Sequence, residues 1–208
     1  MVTKGRFLAS EDELIAAKSV QQGSVCVAMA GECGNQTTGR RPSYCSAMFE
    51  HADLAAQVGQ ALSDRTESVA VGESSAGGLI SATLLSVPGA SAFYKGGAVV
   101  YTAHSRGLLF DRGELLPESR GATEDFACAL ARNAATRMRA DWGLAETGAT
   151  GPSGNPYGDP AGHAWVAVRR PDGTTVARNV ITGDSDRSAN MSAFTAAGLE
   201  LLLAELSG

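Results

Sequence analysis

The sequence predicts an α/β domain, a mixed sheet covered by helices, on three observations. Short apolar runs of strand length alternate with segments of helical periodicity, the pattern of strands joined through helices. Toward the C-terminal end, two alternating runs are separated by Pro171-Asp172-Gly173-Thr174, which reads as a β-hairpin and adds antiparallel strands. Twenty-five glycines with only 6% aromatic residues point to tight turns and close backbone packing.

Each element follows in order. Residues 1–47 differ from the rest and read as an N-terminal extension, weakly ordered or used for docking. Within it, "SEDELIAAKSV" has the capping signature of a short helix, with Ser10 as N-cap and Glu13 as its partner. "SVCVAMA" fits a strand or part of a helix, and the polar stretch 31–45 is a loop. From residue 48 one domain runs to 208, with no repeat and no dividing linker. "MFEHADLAAQVGQALSD" puts Phe49, Leu54, Val58 and Leu62 on one helical face. "SVAVG" (68–72) is a short apolar strand, and 77–86 is a helix ended by Pro88-Gly89. "GGAVVYT" (96–102) is predicted as a buried strand. "TEDFACALARNAATRMRADWG" is a long helix with Thr123 as N-cap and Gly143 as its stop. Residues 144–162 begin as a strand end and become a Gly-, Pro- and Asn-containing loop, too long for a simple connector. After the hairpin strands "HAWVAVRR" and "TTVARNVITG", "SDRSANMSAFTAAGLELLLAEL" closes the chain as a helix.

Composition narrows the function. A chain of 208 residues holds one domain with a sizeable core. Hydrophobic and charged fractions of 44% and 19% are ordinary for a soluble globular protein. The net charge is −5 and the basic residues are scattered, so no footprint for nucleic acid is visible. No apolar run approaches the roughly 18–20 residues of a membrane span. The first residues reach acidic side chains too soon for a signal peptide, so a cytoplasmic protein with no membrane partner is expected. Cys26, Cys33 and Cys45 are separated by six and eleven residues, with His51 following and Cys128 far off. Without a C-x-x-C pair they fit no common zinc pattern; reduced thiols, no metal and no cofactor are expected.

Three stretches carry candidate chemistry. The first is the corner Glu73-Ser74-Ser75-Ala76-Gly77-Gly78, between a strand and a helix. Free N–H groups at a glycine-rich helix start bind an anion or an oxyanion, and Ser74 would supply a hydroxyl nucleophile. By position alone, a serine that merely caps the helix is the favoured reading. The corner is neither the G-x-S-x-G elbow nor a phosphate loop with Gly-Lys-Ser/Thr. The second is Tyr101, which ends a buried strand, with His104 and Arg106 just past it, where open α/β sheets place ligands. Taken singly, Tyr101 is more often a core or rim tyrosine and His104 a solvated loop residue. The third is Thr147-Gly148-Ala149-Thr150-Gly151-Pro152, which offers small residues and free N–H groups or else simply forms a turn.

Together these stretches resemble one family, the C-terminal domain of the competence/damage-inducible protein CinA, also found alone as nicotinamide-nucleotide amidohydrolase. Its serine motif, roughly A-E-S-C-T-G-G, is similar to Gly72–Gly78 here. Its V-P-G-S/A-S and G-x-V-x-Y-S/T patterns resemble Val87–Ser91 and Gly97–Thr102. Its T-G-I-A-G-P loop matches Thr147–Pro152, a later glycine matches Gly162, and a G-D-R-D motif is present in part as Gly183-Asp184-Ser185-Asp186. The likeness covers about 48–207. It implies a three-layer α/β/α domain and deamidation of nicotinamide mononucleotide, a small-molecule substrate, through an acyl-enzyme and without a metal. It gives Ser74 the nucleophile's place and Tyr101 that of the family's tyrosine. Glu73, Ser75, Gly77, Gly78, Thr147, Gly148, Gly151 and Pro152 fall on substrate-binding motifs. Members of the family often form oligomers; no subunit contact is legible in this chain.

The departures from the family pattern cluster at the same site. The family's lysine, five residues after its tyrosine, is Arg106 here. Arginine keeps its proton near neutral pH and cannot replace a lysine as general base. It would instead hold a phosphate or favour a phenolate at Tyr101; Lys95 and His104 are the other basic groups flanking the strand. The residues after the serine are Ser75 and Ala76, and the G-D-R-D arginine is Ser185, with Arg187 two residues later. An alternative therefore stands beside the enzyme: a catalytically silent relative that binds a nucleotide or phosphate.

Overall fold

In the computed structural model, which describes residues 50–109 and 120–208, strand β1 (Val69–Glu73) is buried at every position. It is flanked on both edges and covered on both faces. On one edge it pairs in parallel with β2 (Tyr94–Val99), on the other in parallel with β3 (Trp142–Ala149). β3 continues antiparallel to β4 (His163–Arg169), and β4 antiparallel to β5 (Thr175–Ile181), giving the order β2-β1-β3-β4-β5. The mixed sheet and the hairpin are as predicted.

Strand alternation sorts the two faces. Val69, Val71, Leu144, Val166 and Val168 point to one side, where they meet helices α1 (Ala52–Asp64), α2 (Leu79–Leu85) and α5 (Arg187–Ser207). Val58 and Leu62 of α1, Ile80 and Leu84 of α2, and Leu199 and Leu202 of α5 complete that core. The opposite face is made of small residues: Ala145 and Ala167 lie under Phe126, Leu130 and Ala131 of α4 (Glu124–Met138), and Ala70 packs with Ala134. Two glycines set this close approach. A Cβ on Gly143 would stand 2.0 Å from the Ala131 carbonyl oxygen, and one on Gly72 would stand 2.6 Å from Cγ of Leu130. Helices therefore cover both faces, the three layers implied by the family resemblance. The short α3 (Ala103–Leu109) follows β2.

Some elements depart from expectation for identifiable reasons. The predicted buried strand at 96–102 is β2, which starts at Tyr94, ends at Val99 and is alternately exposed because it lies at the sheet edge. An apolar run does not distinguish an edge strand from a central one. α2 begins at Leu79, not 77, because Gly77 (φ 70°) and Gly78 (φ 101°) are left-handed and form the turn that precedes it. α4 does not run to Gly143. It stops at Met138 with Arg139 in the left-handed region (φ 52°, ψ 45°), and Gly143 serves the sheet instead. The elements expected within residues 1–47, with Ser10, Glu13, Cys26, Cys33 and Cys45, lie outside the described residues, as does Phe49.

The start of α4 is as predicted: Thr123 is extended and its Oγ1 accepts from the Phe126 amide at 3.3 Å. Thr123→Ala is expected to cost about 1 kcal/mol of stability. A lower urea midpoint with unchanged slope is the measurement that checks it. Among the described residues, no helix is long and apolar enough to cross a membrane.

Candidate active site

All three candidate stretches converge on one edge of the sheet, where the parallel strands end. β1 delivers Ser74, β2 leads to Tyr101, and β3 runs into the 147–152 loop, while β4 begins and α5 starts beside them. Lys95 does not belong to this edge. It follows Tyr94, which pairs with Val69 at the start of β1, and its charge acts on Asp141 at the far end. His104 is exposed on α3.

After Glu73 the chain turns from sheet into α2, and the amides of that turn need acceptors. Two buried carboxylates supply them. Glu73 accepts from the amides of Gly78 (2.9 Å), Ile80 (3.1 Å) and Ser81 (2.9 Å) and from the Ser81 hydroxyl (2.6 Å). Glu146, on β3, accepts from the amides of Ser74 (3.1 Å) and Ala76 (2.7 Å) and from the Ser75 hydroxyl. The predicted run of free amides is thereby reduced to those of Ser75 and Gly77, which have no protein acceptor among the described residues. Neither Ser74 nor Ser75 caps α2; Glu73 fills that part. Ser74 is 6% exposed, and among the described residues its hydroxyl makes no hydrogen bond.

Glu146 was not among the sequence-level candidates. The signal available was one charged residue in an otherwise uncharged strand, a position that burial makes costly. Its carboxyl is pushed up to about 7, first by burial and further by the charge of Glu73, while the three donors pull the other way.

Arg187, noted in the sequence only as an arginine two residues past the family's G-D-R-D position, ties the loops together. At the first position of α5, it donates to the Gly151 carbonyl (2.9 Å) and to the Tyr101 hydroxyl (3.3 Å). Asp186 caps that helix by accepting from the Ala189 amide at 2.9 Å. Buried Asn190 donates to the carbonyls of Thr150 (2.9 Å) and Asp184 (3.0 Å), fixing α5 against the 147–152 loop. Gly151 is left-handed (φ 103°), and a Cβ there would meet the Ser185 carbonyl oxygen at 2.6 Å. Pro152 follows it through a cis peptide bond. Gly148 packs against β4, where a Cβ would stand 2.6 Å from that of Ala164.

Arg106 is placed differently from Arg187. Its guanidinium lies over the Phe126 ring, 4.3 Å from the centroid. Gly121 leaves it room: a Cβ there would stand 2.8 Å from Nη2 of Arg106 and 3.5 Å from Oγ1 of Thr147. Thr147 itself is buried and accepts from the Ala122 amide at 3.0 Å. Burial pushes the Arg106 guanidinium below its ordinary range, opposed by Tyr157. Among the described residues, the hydrogen bond to the Tyr101 hydroxyl comes from Arg187. The long loop is pinned by Arg120, which donates to Asp159 (2.9 Å) and to the Tyr157 carbonyl (3.0 Å). Among the described residues no cluster of His, Cys, Asp and Glu could hold a metal ion.

Residues 51–206 match the profile of the family described as the CinA C-terminal domain. The chain belongs to that family. A CinA-like protein of Anaeromyxobacter sp. (strain Fw109-5) is 38% identical over 162 residues, which are 76% of this chain and 40% of that protein. One of Acidobacterium capsulatum is 41% identical over 130 residues, 62% of this chain and 31% of its own length. The chain therefore spans about two fifths or less of these curated relatives. Among solved structures, competence damage-inducible protein A of Klebsiella pneumoniae subsp. pneumoniae MGH 78578 is similar with a TM-score of 0.70 and 25% identity. The match covers 75% of this chain and 96% of that one. A competence/damage-inducible protein of Agrobacterium tumefaciens gives 0.66 and 27%, over 76% and 95% of the two chains.

Proposed function

We propose that the domain is a serine amidohydrolase that deamidates nicotinamide mononucleotide or a related small amide. One observation carries the reading. Of the serines around the corner, Ser75 and Ser81 spend their hydroxyls on buried carboxylates, and Ser74 keeps its own clear at the strand edge. The family resemblance supplies the substrate class.

In this scheme Ser74 Oγ attacks the carboxamide carbon, and the tetrahedral oxygen is received by the Ser75 and Gly77 amides. Ammonia departs with the proton that Ser74 gives up, which leaves an acyl-enzyme. Water then hydrolyses the ester to the acid and restores Ser74. Tyr101, held by Arg187 next to Gly151, is the group that relays the proton. Arg106, stacked over Phe126, is assigned to binding rather than to proton transfer.

Incubation with the nucleotide is expected to release ammonia, and acid quenching during turnover is expected to trap an acyl adduct on Ser74, read by peptide mass spectrometry. Tight nucleotide binding with neither product would favour the silent relative, for which the arginine in the family's lysine position is the supporting feature.

A further inference from the structure

Glu146 is wholly buried and has no ion-pair partner among the described residues. Its bonds all fall on one turn: one oxygen takes the amides of Ser74 and Ala76, the other takes the Ser75 hydroxyl. It also stands immediately before Thr147, so a single side chain joins the serine corner to the loop facing it. A neutral amide would take both backbone N–H groups on its oxygen and donate to the Ser75 oxygen without burying a charge, so holding the turn does not by itself require a carboxylate.

We propose that Glu146 is the positioning residue for Ser74, and that its carboxylate form holds the corner in the reactive geometry while proton uptake releases it. This rests on the reading of Ser74 as the nucleophile. Backbone amides only donate, so an added proton must sit on the oxygen facing Ser75, whose hydroxyl then turns from donor to acceptor. The Ser75–Glu146 bond reverses, and the residue next to the nucleophile loses the acceptor for its own hydrogen. Among the described residues, Glu73 at the end of β1 is the titratable group whose charge acts on Glu146; β4 presents Val166 opposite it in register.

The test follows the labelling of Ser74 by a fluorophosphonate ester, so it needs no knowledge of the natural substrate. Ser74 oxygen bonds to phosphorus, fluoride leaves, the hydroxyl proton goes to solvent, and the adduct is read by mass. Glu146→Gln, nearly isosteric and permanently uncharged, is compared with wild type across pH. Labelling of the variant is expected to be about 10–100-fold slower at about pH 8.5, with the ratio closing toward one at about pH 5.5, where both side chains are neutral. A ratio that stays constant with pH, or equals one throughout, overturns the inference and leaves Ser74 as nucleophile. Wild type unlabelled at Ser74 at every pH overturns both readings. Should Glu146→Gln fail to fold, Ser75→Ala serves in its place. Removing that donor is expected to move the midpoint of the wild-type profile upward by about one unit, and an unmoved midpoint overturns the proposal.

Discussion

Ser74→Ala is expected to lower ammonia release by on the order of 10³-fold or more while leaving the domain folded. The two halves of this expectation have separate causes. The lost oxygen is the one that forms the acyl bond, and no neighbour replaces it, because the Ser75 and Ser81 hydroxyls are committed to Glu146 and Glu73. Stability is spared because the Ser74 hydroxyl has no hydrogen bond to lose among the described residues. The backbone amide of residue 74 still reaches Glu146 in the variant. A change in unfolding free energy within about 0.5 kcal/mol, measured beside the activity, separates loss of the nucleophile from loss of fold. Activity within a few-fold of wild type would remove Ser74 from the chemistry.

Glu146→Gln is expected to act on stability in the opposite sense to its effect on Ser74. The Glu146 carboxyl is raised from an ordinary 4.5 to about 7. Between those values the folded protein keeps a proton that the unfolded chain has released, so stability is full below the lower value and falls as pH rises through the upper one. From about pH 5 to pH 8, the stability difference is expected to move about 2–3 kcal/mol in favour of the variant. Urea unfolding of both proteins at the two pH values is the measurement. A gap independent of pH would show that burial does not raise this carboxyl. A variant that gains stability at alkaline pH while its serine reacts more slowly is the combination expected of a side chain kept for positioning.

Much of the fold was legible because its elements obey simple periods. The alternating hairpin strands, the Thr123 cap and the leucine-rich closing helix were each placed from local pattern. The errors came where one residue type serves two purposes. Gly143 looked like a helix stop, yet it lets α4 approach β3. Gly77 and Gly78 looked like the first residues of a helix, yet they form the turn before it. The site was legible in part for the same reason: Ser74, Tyr101 and the 147–152 loop lie at strand ends that the pattern located.

The sequence by itself determined an α/β chain, the order of its elements and a family corner with Ser74 and Tyr101 at strand ends. These follow from apolar spacing and from motifs contained in short stretches. Only the tertiary structure decided which groups meet there. Glu146 reaches Ser74 across 72 residues, and Arg187 reaches Tyr101 across 86. Such pairings depend on strand register and on how α5 docks. A periodic pattern records which face of an element is apolar; it does not record which distant acceptor lies opposite a given donor. That is why the whole run of the corner's amides looked open to an anion in the sequence, while those of Ser74, Ala76 and Gly78 are held by two carboxylates of the protein itself.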